Sequence, residues 1–263
     1  MSFKGYSLSV RGASHEDAGE VCQDSTRFFI KEGLAVAAVS DGHGSEKHFR
    51  SAAGSEMATR VAIRSVCDFY ERNGGLREMF RGDPDNAARR IAANIICGWN
   101  GEIAAHMRFS PLNERERAVC EKHGGIANEI MYGATLIVGA AAENCCFGLQ
   151  IGDGSFIALD GERMLSPMPE DSKLVGTLTT SLCDSDAIGS FRYFFREGGF
   201  SGIMLSSDGL INSFRSEGDF LSFGRRVIDA VSENETAHLP EHLRSRSRNG
   251  SRDDISVAAI VAQ

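Results

Sequence analysis

Four segments share one grammar, in which an apolar run meets aspartate at a tight turn: LAVAAVSDGHG with Asp41, CCFGLQIGDGS with Asp153, GIMLSSDGL with Asp208, and SRDDISVAAIV with Asp253. The repetition is the signal, because strands that stop at a sheet edge are rigid supports on which several carboxylates can be held together. Carboxylates brought that close repel one another, and their pKa values rise unless a cation compensates, so a cluster of this kind is suited to holding metal. Oxygen donors alone favour Mg²⁺ or Mn²⁺ over zinc or copper, which prefer His and Cys. A pair of such ions about 3.5 to 4 Å apart can activate a shared water and clamp a phosphoryl group for in-line attack. Taken singly each motif is weak, since Asp-Gly is the commonest turn dipeptide and a lone one reads as a turn or an N-cap.

Order changes that reading. DGHG, YGATLIVGA, QIGDGS, SSDGL and SRDDISV follow one another in the order and approximate spacing of the PPM (PP2C-like) metal-dependent serine/threonine protein phosphatases, and VCQDS (Val21 to Ser25) resembles that family's early acidic element. The resemblance covers nearly the whole chain, and the GASH to CQDS opening together with TTSL (Thr179 to Leu182) is similar to a bacterial subgroup. It implies a four-layer αββα sandwich of two antiparallel sheets flanked by helices, with the metals in a cleft at one end. It further implies that Asp41, Asp208, Asp253 and the carbonyl of Gly42 ligate two Mn²⁺ or Mg²⁺ ions, that Asp153 binds a third, and that Asp24 holds a water of the metal site. His43 matches the family histidine that protonates the leaving serine or threonine oxygen, a role suited to a side chain titrating near neutrality; the bland alternative is a solvent-facing turn residue. The activity implied is hydrolysis of phosphoserine or phosphothreonine in proteins by a metal-activated water, opposite a serine/threonine kinase.

Three departures from the family pattern matter. Gly19 stands five residues before Asp24, where many members carry a phosphate-binding Arg, so Arg11 and His15 become the candidates for anchoring phosphate, against the plain reading of each as an exposed loop cation. The terminal Asp-Asn is Asp253-Asp254 here, which leaves both as candidate ligands, and Gly154 occupies the usual Ser position with Ser155 one place later. The first two departures motivate an alternative, a catalytically weak or inactive phosphopeptide-binding or regulatory module; a hydrolase of small phosphate esters is a third.

Seven segments rich in aliphatic residues read as strands that position these aspartates: Arg27 to Ile30, Leu34 to Ser40, Ala134 to Ala142, Cys145 to Ile151, Phe156 to Asp160, Gly202 to Ser207 and Ile255 to Val261. Between the second and third, Phe49 to Tyr70 and Ala88 to Met107 carry apolar residues at helical spacing, the first stopped at Asn73-Gly74-Gly75 and the second opened by Asp83-Pro84-Asp85. A third helix is expected through Phe220 and Val231, followed by a polar loop from His238 to Asp254. Strands, a helix pair, more strands, then a late helix and strand imply an α+β layered fold.

The length of 263 residues and 42% hydrophobic content suit a single domain, 1–263, with a sizeable core. A net charge of −8 excludes a nucleic-acid footprint, and with no apolar run near the roughly 20 residues of a bilayer span, no membrane partner is expected. The seven scattered cysteines contain no CxxC pair and none is followed six positions on by Arg, so reduced thiols in a cytoplasmic, monomeric protein are expected and a cysteine phosphatase is not. The basic run Arg244, Arg246, Arg248 and Arg252 reads as a solvated loop face, or as a docking patch for acidic partners. His238 and His242 stand four apart, but Pro240 between them and the lack of an acidic neighbour argue against a metalloprotease helix.

Overall fold

The computed structural model describes residues 2–171 and 179–263. In chain order its strands are β1 (Phe3–Val10), β2 (Ser25–Lys31), β3 (Leu34–Ser40), β4 (Leu136–Ala142), β5 (Cys145–Ile151), β6 (Ser155–Asp160), β7 (Arg163–Leu165), β8 (Arg192–Glu197), β9 (Gly202–Ser206) and β10 (Ile255–Ala262). The helices are α1 (Ala13–Ala18), α2 (Ser51–Asn73), α3 (Leu76–Met79), α4 (Pro84–Phe109), α5 (Glu114–Lys122), α6 (Asn128–Met131), α7 (Ala187–Ser190), α8 (Asp208–Ile211), α9 (Glu217–Glu233) and α10 (Leu239–Asn249). One sheet runs β1-β10-β9-β6-β7 and the other β2-β3-β4-β5-β8, and every pairing is antiparallel.

The period-2 rule explains the layers. Leu34, Val36 and Ala38 of β3 face the core shared with α2 and α4, while Ala35, Ala37 and Val39 face the core between the sheets. Likewise, Val257, Ala259 and Val261 of β10 pack with Phe220, Phe223 and Val227 of α9, and Ala258 and Ile260 turn to the other sheet. Strands buried on both faces are continuous apolar runs, which is why these were readable without alternation. The result is the four-layer αββα sandwich of the α+β class that was expected.

The His238 to Asp254 segment is a correction. It contains α10, not a polar loop: Pro240 sits in the first turn, and the helix buries a narrow stripe of Leu239, Leu243 and Ser247 while Arg244, Arg246 and Arg248 face outward. Those arginines are held by neighbours, Arg244 near Glu241, Arg248 near Glu16, and Arg246 stacked 4.2 Å from the Phe214 ring centroid. Strands β1, β7 and β8 and helix α5 were not expected either; all four are half-exposed and lack the uninterrupted apolar run that marked the rest. All seven cysteines are free thiols.

Helix α5 is tied down by one buried ion pair. Asn113 and Glu116 form a reciprocal capping box, and Glu116 also receives both Arg50 Nε and Nη2 at 2.8 Å. Arg50 donates further to the Tyr132 hydroxyl (2.9 Å) and the Ser110 carbonyl (2.8 Å), so one guanidinium joins the start of α2, the α4–α5 connection and the segment leading into β4. The hydrogen bonds from Arg50 hold the Glu116 carboxyl below the ordinary glutamate range. A depressed folded-state pKa means that the stabilisation is present above the unfolded value and is lost as pH falls through the folded one. Glu116→Gln should therefore cost about 2 kcal/mol at pH 7, and the gap to the unsubstituted protein should close as pH drops below about 4, as denaturant titrations at both pH values would measure.

Candidate active site

Antiparallel pairing brings seven strand ends to one end of the sandwich. Ser25 pairs with Ser40, Ile137 with Val39, and Leu136 with Ile151, so the start of β2, the end of β3, the start of β4 and the end of β5 lie side by side. In the other sheet Ser206 at the end of β9 pairs with both Ser155 and Val257, which aligns it with the starts of β6 and β10. Hence Asp24, Asp41, Asp153, Asp208 and Asp253, each next to one of these ends, converge though they are far apart in sequence. A cavity of about 200 Å³ there is lined by Asp41, Gly42, His43, Asp153, Asp208 and Asp253, together with His15, Gln23, Thr179 and Asp254.

The DGH turn is an extension of the sheet. Thr135 N donates to the Asp41 carbonyl (2.8 Å), Gly42 bridges Ala134, and His43 N donates to the Gly133 carbonyl (3.0 Å), while Thr135 Oγ1 accepts from Asp41 N (3.1 Å). YGAT is thus the strand start that fixes the backbone of Asp41, Gly42 and His43. At Gly133 a Cβ would lie 2.6 Å from His48 Nδ1 and 2.9 Å from His43 Cδ2, so glycine is required there by the two imidazoles. Burial, then the neighbouring His48 and Lys47 charges, push the His43 imidazole down to about 4, and its Nε2 lies 2.7 Å from Ser181 Oγ. His43 is consequently neutral at pH 7.

The acidic residues are strongly perturbed. Burial pushes the Asp24 carboxyl up to about 8, against the lowering effect of Ser207 Oγ, which donates to Asp24 Oδ2 at 2.6 Å. Asp41 is raised well above the usual carboxylate range, first by burial and then by the charges of Asp24 and Asp208. Asp208 and Asp253 are raised by burial as well; a hydrogen bond from Asp41 offsets part of this at Asp208, and the Asp254 N–H offsets part of it at Asp253. Asn212 Nδ2 donates to Asp208 Oδ2 (3.0 Å) and orients that carboxylate.

Asp253 and Asp254 divide their work. Asp254, only 2% exposed, accepts from Gly12 N through Oδ1 and from Gln23 N through Oδ2, both at 2.6 Å, so its carboxylate ties the N-terminal segment to β10. Its Oδ1 also lies 2.9 Å from His15 Nδ1. Asp253 lines the cavity, with its Oδ1 accepting from Asp254 N at 2.8 Å. His15 lines that cavity as well, whereas the Arg11 guanidinium donates to the Glu20 carbonyl at 3.3 Å and is absent from the lining.

The donor set fits a hard divalent cation. Asp24 Oδ1 and Asp208 Oδ1 are buried with no hydrogen-bond partner, an arrangement that costs free energy unless something positive or protic meets them. Oxygen donors and raised carboxyl pKa values point the same way. Among the described residues no three His, Cys, Asp or Glu side chains yet converge as a finished coordination shell; the carboxylates line the cavity walls.

Two antiparallel sheets with an acidic cleft at one end of the sandwich define the phosphatase class of fold that the motifs suggested. The sequence profile of protein phosphatase 2C matches residues 11–244, and the chain belongs to that family. Among solved structures, the catalytic domain of the serine/threonine protein phosphatase PstP, in complex with two manganese ions, is 20% identical with a TM-score of 0.59, over 98% of this chain and 97% of that one. PppA of Pseudomonas aeruginosa, described as a regulatory component of T6SS, is 16% identical (TM-score 0.57, 100% and 99% covered), and RsbX in complex with magnesium is 12% identical (TM-score 0.54, 99% and 96% covered). No curated protein sequence matches the chain.

Several residues of the site escaped the reading of the sequence. Ser207 on Asp24, Ser181 on His43 and Asn212 on Asp208 are common polar residues with no motif of their own, though Ser207 and Ser181 lie inside SSDGL and TTSL.

Proposed function

We propose that this chain is a metal-dependent protein phosphatase that hydrolyses phosphoserine and phosphothreonine at a binuclear Mn²⁺ or Mg²⁺ centre, acting as a monomer opposite a serine/threonine kinase. The observation that carries the proposal is the convergence of Asp41, Asp153, Asp208 and Asp253 from separate strand ends on one cavity. Asp41, the Gly42 carbonyl, Asp208 and Asp253 would hold two ions and Asp153 a third. When bound, such ions make a nearby water acidic enough to attack phosphorus and neutralise the phosphoryl oxygens.

The chain's own residues would do the rest. Asp24 lies behind the residues that line the cavity; anchored through Oδ2 by Ser207, it would hold a water of the metal site through its buried, unpartnered Oδ1. His43, held by the Gly133 carbonyl and Ser181, stands beside the cavity, where the negative charge of a bound phosphoryl group would raise its lowered pKa and let the imidazolium deliver a proton to the leaving serine or threonine oxygen. His15, lining the cavity with its Nδ1 2.9 Å from Asp254 Oδ1, is the group on this chain best placed to meet a phosphate oxygen where the family uses Arg.

The purified protein should release phosphate from a phosphothreonine peptide with Mn²⁺ and lose that activity in EDTA. In the same assay His15→Ala should raise KM about ten-fold and Arg11→Ala less than about two-fold. Peptide binding at saturating Mn²⁺ with no release of phosphate would replace this proposal with a phosphopeptide-binding module.

A further inference from the structure

A second cavity, of about 390 Å³, opens beside the acidic one and shares Gln23 and Gly44 with it. Its apolar lining comes from Val21, Phe49 and Val119, and Arg115 stands in its wall. Val119 and Arg115 belong to α5, the helix fixed by the Arg50–Glu116 pair, so this wall is held in place before any ligand arrives. Val21 is 65% exposed, an unusual position for a large aliphatic side chain beside a site full of carboxylates.

We infer that this groove is a substrate-specificity subsite, which receives an apolar side chain of the substrate protein adjacent to the phosphorylated serine or threonine. The inference rests on the phosphatase reading of the neighbouring cavity. Continuity is its main support: a peptide whose phosphate lies among Asp41, Asp208 and Asp253 must leave the acidic cavity across one of its rims, and the Gln23–Gly44 rim leads into a lined, concave, partly apolar site. Of the acidic residues in the lining, Glu46 is paired with Lys122 at 2.6 Å and Glu116 with Arg50 at 2.8 Å, while Glu20, 3.7 Å from His15 Nε2, points largely to solvent, so the apolar side chains of Val21, Phe49 and Val119 are what the groove offers a ligand.

The test compares phosphothreonine peptides carrying Leu, Asp or Lys at each position flanking the phosphothreonine. The unsubstituted protein should favour Leu at one flanking position by about ten-fold in kcat/KM, the scale of burying one aliphatic side chain in a shallow site. Val119→Asp should remove that preference while leaving turnover of p-nitrophenyl phosphate, too small to reach the groove, within about two-fold. Val21→Asp, at a position too exposed to threaten folding, should remove it too. A missing Leu preference, or one that survives both substitutions, overturns the subsite and leaves the phosphatase reading intact. If neither peptide nor small ester is turned over, the phosphatase reading fails, and the affinities of the same peptides built on a non-hydrolysable phosphonate decide the subsite by the same criterion.

Discussion

Asp208→Asn should lower turnover of a phosphothreonine peptide by at least about a thousand-fold and, in EDTA, should make the protein more stable than its parent. The two effects have one cause. Asp208 is half-buried beside Asp153 and Asp253, its buried Oδ1 has no partner, and its pKa is raised. A raised folded-state pKa means that folding favours the protonated form, so the metal-free protein loses stability as pH rises from the ordinary aspartate value through the raised one. An amide removes that charge and can still accept from Asn212. About 1 kcal/mol of relief corresponds to an increase of roughly 2–4 °C in Tm for a domain of this size, and the gain should shrink at pH 4, where the parent carboxyl is protonated as well. Adding Mn²⁺ should reverse the ranking, because only the parent gains the full stabilisation that ligand binding to the native state confers. A variant that kept wild-type turnover, or that melted lower than its parent in EDTA, would remove Asp208 from the metal site.

What could be read without coordinates follows from burial. The strands that carry the aspartates are central and covered on both faces, so they appear as apolar runs with abrupt polar ends, and β3, β5 and β10 were placed within a residue of where they lie. The edge strands β1 and β8 bury only part of each face and carry Lys4, Ser7, Arg192 and Arg196 among their apolar residues, so no run forms. Helix α10 was hidden for a related reason: two leucines four apart are enough to dock it, but they are outnumbered by arginine and serine. In the site, the carboxylates were legible because four of them repeat one local pattern. Their supports were not, because Ser207 meets Asp24 across 183 positions of chain and Ser181 meets His43 across 138. The choice between Asp253 and Asp254 could not be made from a dipeptide, since it turns on which carboxylate the amides of Gly12 and Gln23 capture.

Gly209→Ala should be the most damaging single-methyl change near the site. The three Asp-Gly pairs that flank the cleft look like turns, but Gly209 is demanded by packing: a Cβ there would lie 2.1 Å from the Asp254 carbonyl oxygen and 3.2 Å from Asp253 Cβ. The carbonyl belongs to a segment held by Gly12, Gln23 and the β10 ladder, so it has little room to yield, and overpacking of this kind costs about 1–3 kcal/mol. The displacement would separate Asp208 from Asp253, the two carboxylates brought from β9 and β10 to one cavity, and misplacement by about 1 Å costs on the order of a hundred-fold in rate. Gly218→Ala in α9 is the control, because its Cβ would meet nothing closer than Ser216 Oγ at 3.9 Å and the helix should gain up to about 1 kcal/mol. Melting in EDTA then separates two ways of losing the same activity. Asp208→Asn raises Tm because it removes charge from an intact cleft, and Gly209→Ala lowers it because it deforms the cleft; equal Tm values for Gly209→Ala and Gly218→Ala would show that β9 and β10 are not locked together at this point.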